Sequence, residues 1–288
     1  MKQQLENIDN PRKNAIDAMK ASVNQDIWER NILFIDSLKS QIRNHPVSRH
    51  EAINALNNGE FDKESLKIIH LEYRHAIVQI FTDALLMAQH LSLQLEPRLN
   101  PASKMPARFL LALNVLDEFG FRPGADVHGY YKGNPCYAHY PLFEGVLDEF
   151  GITLTERVGY QPSGISIQVR EFLQSSYDNF ATIAALLAVA EEEVILYSPP
   201  LRRATGAVGL DVEDGYYNVH GTSEDDSAEA YDDDHEDDLW YVLAQAMTSN
   251  REDELRTICM KYCDLWNDFW SLQMRLLDRQ LDHQEIAA

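Results

Sequence analysis

Apolar residues recur at spacings of three and four positions along almost the whole chain of 288 residues. Between residues 26 and 43, this spacing is followed by Trp28, Ile32, Leu33, Ile35 and Leu38. Such a pattern gives a helix one apolar side, whereas the alternating apolar and polar runs typical of strands are nearly absent. The sequence therefore predicts an all-α fold, a multi-helix bundle in a single domain.

Capping residues, glycines and prolines predict where the helices begin and end. Ser48 and Glu51 have the spacing of a capping box, which indicates the start of a short helix that ends at Asn58-Gly59. Asp62 is predicted to cap a long helix, and Pro199-Pro200 to end the most apolar one. The predicted helices cover residues 26–43, 48–58, 63–93, 102–119, 140–150, 165–175, 177–197, 223–247 and 251–282.

The same pattern suggests how the domain is organised. We expect residues 1–60 to form an N-terminal helical extension and residues 61–288 to form the main bundle. We see no internal repeat and no low-complexity linker in the chain.

Acidic residues outnumber basic ones by 46 to 25, so the formal net charge is −21. This charge argues against nucleic acid, because neutralising phosphates requires clustered Lys and Arg, and against an anionic membrane surface. The charge is concentrated between Asp211 and Asp238, where 13 of the 46 acids lie. No Lys or Arg occurs from Ala204 to Asn250. That segment is therefore unlike the rest of the chain.

Two further features concern the cellular compartment. The first ten residues, MKQQLENIDN, lack the apolar core of a secretory signal peptide. Three cysteines in a chain of this length give no disulfide framework. We expect a cytoplasmic protein.

Ionisable residues form one stripe on the predicted helix 63–93. Glu72, His75, Gln79 and Asp83 follow each other at helical spacing. A Glu-x-x-His pair places both side chains on one side of a helix, as in carboxylate-bridged di-iron bundles. A polar outer face explains the same stripe equally well, and the sequence leaves both interpretations open.

Two other candidates lie on apolar helix faces. His139 is in phase with Leu142, Phe143 and Val146, which places it on the core side as a ligand or as a hydrogen-bonded core histidine. Glu191 lies in the most apolar helix, without a Lys or Arg nearby in sequence. A carboxylate buried there must be neutralised, paired or bound to a metal.

The acidic run YDDDHEDDLW, residues 231–240, divides into two faces on a helix. Asp232 and His235 share a face with Leu239, whereas Asp233, Glu236 and Asp237 point elsewhere and indicate a solvent-exposed face. Asp238 fits either face. Two imidazoles and several carboxylates from separate helices suit two Fe(II) or Mn(II) ions better than structural zinc, which prefers thiolates.

Several short segments resemble the haem-oxygenase-like di-iron oxidases, which are relatives of the TenA and PqqC helical folds and include enzymes that decarboxylate fatty acids to 1-alkenes. The similar segments are HYPLFEGVLDEFGI from His139, TIAALLAVAE up to Glu191, YDDDH from Tyr231, and CMKYCDLW in the last helix. Together they span roughly residues 60–275.

The resemblance implies a haem-oxygenase-like bundle that binds two Fe(II) ions, with Mn(II) as an alternative metal. It implies that His139, Glu191, Asp232 and His235 are metal ligands, and that Glu72, His75 and Asp83 compete for a further ligand position on the first bundle helix. Two positions depart from the family pattern. Cys136 stands where a relative has a ligand glutamate, and Ala228 stands where members often have a histidine. His220 lies too far ahead of His235 on a continuous helix to share the same centre.

The implied activity is oxidation of a small carboxylate or amino-acid-type substrate by dioxygen, with C–C cleavage, desaturation or N-oxygenation as outcomes. The expected partners are the substrate and dioxygen, and a homodimer is left open. Two alternatives remain at this point. One is a metal-free enzyme similar to TenA or PqqC, in which Glu191 and His235 act as acid and base on a heterocycle. The other is a non-enzymatic helical protein whose acidic segment binds a basic partner.

Overall fold

The structure is a computed structural model that describes residues 10–122, 132–219 and 231–287, with the backbone alone at 122, 132, 231–236 and 280–287. The described α-helices are α1 (Pro11–Ser22), α2 (Gln25–Asn44), α3 (Glu51–Asn57), α4 (Lys63–Tyr73), α5 (Phe81–Leu91), α6 (Lys104–Glu118), α7 (His139–Glu149), α8 (Leu154–Gly159), α9 (Gly164–Gln174), α10 (Phe180–Ala207), α11 (Tyr216–Val219), α12 (Tyr231–Ala246) and α13 (Glu252–Ala287). Two short strands, β1 (Phe121–Arg122) and β2 (Lys132–Gly133), pair antiparallel. The predicted all-α fold is confirmed.

Side-chain caps begin several of these helices. Asp62 accepts a hydrogen bond from the Ser65 amide at the start of α4, as the sequence predicts. Asn179 accepts from the Thr182 amide and thereby caps α10. These side chains satisfy amide groups that have no partner inside the helix.

The predicted helix 63–93 is not a regular α-helix. Residues Arg74–Val78 form a π-helical segment between α4 and α5, and the Gln79 amide donates to the Arg74 carbonyl over 3.1 Å. This wider turn inserts one residue into the helical register, so residues before and after it no longer keep one common stripe. Such segments occur frequently beside functional sites.

The predicted end of the apolar helix at Pro199-Pro200 is wrong, because α10 continues to Ala207. A proline inside a helix removes one amide donor and usually kinks or ends the helix. Here α10 packs against α3, α5, α12 and α13 along its length. This tertiary packing maintains the helix past the two prolines.

The predicted capping box at Ser48 is also wrong. Ser48 lies in a 3-10 turn, Pro46–Arg49, and its hydroxyl donates to the Ile42 carbonyl. His50 caps the start of α3 instead, because its Nδ1 accepts a hydrogen bond from the Ala52 amide over 3.1 Å. The histidine side chain thus takes the role that the sequence assigned to the serine.

The N-terminal helices pack on the rest of the bundle. Asn31 Nδ2 of α2 donates to the Ala244 carbonyl of α12, and the Tyr197 hydroxyl of α10 donates to the Val47 carbonyl. Buried apolar residues of α1, α2 and α3 belong to the same hydrophobic core as those of α10 and α13. Residues before 61 therefore share the core of the bundle, while a boundary at residue 60 stays a prediction.

One helical stretch, Lys63–Leu95, is long and apolar enough to cross a membrane by length and composition alone. Of its most apolar 18-residue window, 56% is buried inside the fold. A core helix of a folded domain passes the same test of length and composition. The cytoplasmic location stays a prediction.

Candidate functional site

The turn between α6 and β1 brings Glu118 close to His139. Gly120 adopts a left-handed conformation with φ +78°, and a Cβ at this position would lie 2.5 Å from the Asn134 carbonyl oxygen and 2.6 Å from the Ala138 nitrogen. Only glycine therefore permits the segment that leads into α7 to pass so close to the end of α6. This close approach places the first residue of α7 beside the last residue of α6.

His139 lies between two consecutive carboxylates of α6. Glu118 Oε1 is 2.9 Å from Nδ1, and Asp117 Oδ2 is 3.6 Å from Nε2. Because an ionised carboxylate only accepts hydrogen bonds, Glu118 favours the tautomer that carries the proton on Nδ1. The lone pair then lies on Nε2. Asp117 Oδ2 is buried and has no hydrogen-bond partner among the described residues.

Glu191 faces the same cavity as His139. The cavity measures about 30 Å³, which is enough for one water molecule or an ion and too little for an organic substrate. Its walls are formed by Tyr73, Ile77, Val78, Phe81, Glu118, His139, Tyr140, Glu191, Val194 and Tyr216. The carboxylates of Glu118 and Glu191 and the imidazole of His139 thus line one cavity. Among the described residues that line it, there is no Lys or Arg to balance their charge.

A larger cleft adjoins the outer side of His139. It has a volume of about 340 Å³ and is lined by residues from the end of α6 and the turn after it, from the 3-10 turn before α7 and α7 itself, and from α11 and the residues before it, among them Asp117, Tyr137, Asp214 and Asn218. His139 lines this cleft as well as the inner cavity. His139 is therefore common to an ion-sized cavity and to a cleft large enough for a small molecule.

A second buried carboxylate, Glu193, lies behind the cavity wall. Its oxygens accept hydrogen bonds from the Tyr73 hydroxyl and from Trp270 Nε1, each over 2.8 Å. Burial in the apolar core raises the pKa of Glu193 to about 8. Glu193 and Glu191 are both 4% exposed, although residues two positions apart point in different directions from a helix. α10 is surrounded by other helices, so its helical spacing could not distinguish a buried face from an exposed one.

Glu72 is buried elsewhere and anchors the start of α9. Its carboxylate accepts hydrogen bonds from the Tyr160 hydroxyl, from the Ser163 amide and hydroxyl, and from the Ser166 hydroxyl. Negative charge at a helix N-terminus is favourable because the unpaired amides there carry partial positive charge. Glu72 is not among the residues that line the cavity beside His139.

The other two candidates on this stripe are also placed apart from the cavity. His75 lies in the π-helical segment and is half-buried, and burial followed by the charge of Arg170 lowers the pKa of its imidazole. Asp83 is exposed on α5. The structure thus brings together His139 and Glu191 but not Glu72, His75 or Asp83.

Asp232 and His235 lie on α12, but their side chains are outside the described residues, and so is all of His220. The position of α12 relative to α6 can still be described from the residues at its C-terminal end. Gln245 Nε2 donates to the Ser103 carbonyl and holds the C-terminal end of α12 at the start of α6. α12 and α6 pack against each other, and position 235 lies ten residues before Gln245, which is about 15 Å along a helix.

Among the acids of the run 231–240, the structure describes the side chains of Asp237 and Asp238. Asp237 is exposed and lies 3.1 Å from Lys39. Asp238, which fitted either face, is buried and pairs with Arg12 of α1, whose Nε donates to both carboxylate oxygens. Its neutralising partner lies 226 residues away in sequence, so no local pattern could identify it.

Sequence reasoning missed Glu118, although a signal was present. Ala107, Leu110, Leu111, Asn114 and Glu118 share the buried side of α6, so the last two are polar residues four positions apart on an apolar face. Cys136 is exposed in the 3-10 turn that precedes α7. The carboxylate next to His139 therefore comes from Glu118 of α6. It does not come from position 136, three residues before His139, where this chain has a cysteine.

Neither the protein-family profiles nor the curated proteins contain a match to this chain. Solved structures do match. A CADD-like protein of unknown function from Nostoc punctiforme has a TM-score of 0.58 and 13% identity, over 85% of this chain and 97% of that one. A TenA homolog from Pseudomonas syringae pv. tomato has a TM-score of 0.54 and 12% identity, over 86% and 93%. A TenA family transcription regulator from Silicibacter has a TM-score of 0.53 and 15% identity, over 84% and 94%. The chain therefore shares the helical-bundle fold of these TenA and CADD-like structures.

Proposed function

We propose that this protein is a non-haem iron oxidoreductase that uses dioxygen to oxidise a small carboxylate or amino-acid-type substrate. The observation that carries the proposal is the position of His139. Its imidazole has a carboxylate near each ring nitrogen, and Glu191 faces the same ion-sized cavity.

The donor set fits a divalent first-row metal in its chemistry. Imidazole nitrogen and carboxylate oxygen are ligands that iron and manganese accept, and Asp117 has a buried oxygen without a hydrogen-bond partner among the described residues. Within the part of the chain that the structure describes, no group of three or more His, Cys, Asp or Glu side chains forms a metal site. The proposed centre therefore needs Asp232 and His235 from α12 to complete it.

When bound, iron would supply the electrons that activate dioxygen. The residues of the chain have separate tasks. Glu118 holds the proton on Nδ1 of His139 and so keeps Nε2 available as a ligand. Glu191 supplies negative charge that balances a cation. Ile77, Val78 and Phe81 give the inner cavity apolar walls that restrict water.

The outer cleft provides room for the substrate on the other side of His139. Its volume of about 340 Å³ lies in the range of small-molecule sites. The fold supports an enzyme of this kind but is compatible with other chemistry, because one fold hosts many functions. The donor residues, and not the fold, are therefore the basis of the proposal.

Anaerobic loading with Fe(II), followed by removal of free metal and measurement of bound iron, tests this function. We expect between one and two iron ions per chain in the wild-type protein. Glu191→Ala should lower the iron content by at least half, whereas Glu64→Ala, at an exposed carboxylate on α4, should not change it. Less than about one iron per chain, or no loss in Glu191→Ala, would contradict the proposal.

A second function, metal-free acid–base catalysis on a heterocycle, is favoured by a different observation. Tyr73 lines the inner cavity together with one imidazole and two carboxylates, and its hydroxyl donates to Glu193 behind the cavity wall. In this case Glu191→Gln would abolish activity in protein that has been freed of metal. The first function predicts that metal-free protein is inactive whatever residue stands at 191.

A further inference from the structure

A further cleft lies at the opposite end of α6 from His139. It has a volume of about 450 Å³, against about 340 Å³ for the outer cleft. Its walls come from the junction of α1 and α2, from the residues just before α6 and from the turn between α12 and α13. α6 itself spans 15 residues, which is about 22 Å of helix. The cleft is therefore separate from the proposed metal centre and does not depend on the proposed function.

The ionisable side chains of this cleft are basic. Among the described residues that line it, Arg30 and Arg98 are the only ionisable ones. The outer cleft beside His139 differs, since Asp117 and Asp214 line it. The chain as a whole has a formal net charge of −21, so a cleft with two guanidinium groups and no carboxylate among its described lining departs from the rest of the molecule. Such a lining favours an anion over a cation.

The two arginines differ in how their charge is balanced. Arg30 Nε lies 3.2 Å from Glu252 Oε1, so this guanidinium has a carboxylate beside it. Arg98 has no carboxylate partner among the described residues, and its Nη2 donates to the Gln245 carbonyl over 2.7 Å and to the Ala246 carbonyl over 3.0 Å. Burial of part of the side chain lowers the pKa of Arg98, and no charge within the described ranges offsets this effect. Arg98 therefore brings one unbalanced positive charge to the cleft.

The rest of the lining suits the other parts of an organic anion. Asn24, the N-cap residue of α2, lines the cleft, so the start of a 20-residue helix lies at its edge. Asp26, in the first turn of this helix, is not part of the lining. The amides at a helix N-terminus carry partial positive charge, which adds to the charge of the guanidinium. Apolar surface beside these groups comes from Val23, Ile27 and Leu99.

We propose that this cleft binds a small organic anion, with a carboxylate or phosphate group on Arg98 and an apolar part against Ile27 and Leu99. A guanidinium group binds either kind of head group through paired N–H donors. The volume of about 450 Å³ lies in the range of small-molecule sites. Because carboxylates line the outer cleft, an anion should prefer this cleft to the one beside His139.

Three probes that share a benzene ring and differ in charge test this site in the full chain. They are benzoate, phenyl phosphate and benzylamine, and ligand-observed NMR titration at neutral pH measures their dissociation constants. We expect at least one of the two anions to bind with a dissociation constant of about 1 mM or lower, and benzylamine to bind at least about tenfold more weakly. The tighter of the two anions identifies the head group as carboxylate or phosphate.

Two variants change the charge of the cleft in different ways. Arg98→Gln removes the guanidinium, and Asn100→Asp adds a carboxylate to the lining while Arg98 stays in place. Each should weaken binding of the tighter anion by about tenfold or more, because a hydrogen bond to a charged group is lost or a like charge is added. Arg98→Lys keeps the charge without the planar fork and should lie between the wild type and Arg98→Gln.

Arg43→Gln is the matched control, since it makes the same change in net charge at an exposed position of α2. It should leave the dissociation constant of the tighter anion within about twofold of the wild-type value, which would exclude a general effect of net charge.

The hydrogen bonds of Arg98 to the end of α12 give it a structural role as well. Asn100 is exposed, so Asn100→Asp should unfold at the wild-type temperature, and it decides the outcome if Arg98→Gln does not fold. Equal affinity for the anion in wild type and Asn100→Asp, tighter binding of benzylamine than of both anions, or no binding of either anion would overturn the inference. None of these results changes the iron content that tests the proposed function.

Discussion

Glu118 Oε1 lies 2.9 Å from Nδ1 of His139, although the two residues are 21 positions apart and belong to different helices. The side chains of this pair are 10% and 6% exposed. A carboxylate on the far nitrogen of an imidazole fixes the ring and raises its strength as a ligand, as in the carboxylate–histidine–metal arrangement of many metalloproteins. The pair is therefore the most direct link between the packing of α6 on α7 and the chemistry proposed for the cavity.

Replacing Glu118 should weaken metal binding more than it weakens the fold. In Glu118→Ala, His139 loses the group that holds its proton on Nδ1, and we expect a 10- to 100-fold loss of Mn²⁺ affinity, which is the size of effect that such partners have elsewhere. Calorimetric titration of the folded variant measures this loss. Glu118→Gln keeps an acceptor oxygen and should lose less affinity than Glu118→Ala. Equal affinities in wild type and both variants would contradict the assigned role.

Replacing Glu72 should weaken the fold and spare metal binding. Glu72→Ala removes the acceptor of four donor groups at the start of α9, two of them on Ser163, and leaves several of these donors buried. We expect a loss of about 2–4 kcal/mol in the free energy of unfolding, measured with urea. Iron content should stay at the wild-type value in protein that is still folded. Loss of iron without loss of stability would instead show that Glu72 is a ligand, as the sequence suggested.

His70 should make stability depend on pH. It is fully buried, its Nδ1 faces the Leu66 carbonyl, and its Nε2 is 2.6 Å from the Tyr217 hydroxyl. Burial lowers the pKa of His70 to about 4, against 6.5 for an ordinary histidine. The unfolded chain therefore binds a proton at a higher pH than the folded protein does, and stability falls as the pH decreases from about 7 to about 4.

The contribution of His70 over this pH range is about 3 kcal/mol, because one pKa unit corresponds to about 1.4 kcal/mol. Urea unfolding at a series of pH values measures it. His70→Gln should flatten the decline relative to the wild type, whereas His90→Gln, at an exposed position on α5, should leave the decline unchanged. Parallel curves for wild type and His70→Gln would contradict the assignment.

Gly120 should tolerate no side chain. In Gly120→Ala the new Cβ would meet the backbone of Asn134 and Ala138 at about 2.5 Å, so the entry to α7 must move. We expect a loss of stability above about 2 kcal/mol and a loss of Mn²⁺ affinity, because the same segment holds His139. Gly209→Ala is the matched control. Gly209 also has a positive φ, of +87°, but its Cβ would meet nothing within 4 Å. This control should cost only about 1 kcal/mol for the backbone conformation.

The helical spacing of apolar residues was sufficient to predict the fold class, and the caps at Asp62 and Asn179 show the local chemistry behind it. The errors arose where tertiary packing outweighs local preference. α10 continues through Pro199 and Pro200 because it is enclosed by other helices. The π-helical segment after Tyr73 adds one residue to a helical turn, and the spacing of apolar residues does not show such an insertion in advance.

The candidate site could be predicted in part. His139 and Glu191 lie on apolar faces, and the structure places both on one cavity. Glu118 was missed because its meaning depends on a glycine turn that brings two sequence-distant helix ends together. Glu72 has the same sequence signal as a ligand, a carboxylate on a buried helix face. Its neutral hydrogen-bond donors come from α9, about 90 residues later in the chain, and they decide its role.

Anomalous diffraction at the iron absorption edge from crystals of the Fe(II)-loaded protein locates the proposed metal centre. We expect an iron peak about 2 Å from Nε2 of His139, with a Glu191 carboxylate oxygen at a similar distance. The same data would show which residues of α12 complete the centre. Crystals of loaded protein with no iron peak between α6, α7 and α10, or with the peak beside Glu72 instead, would contradict it.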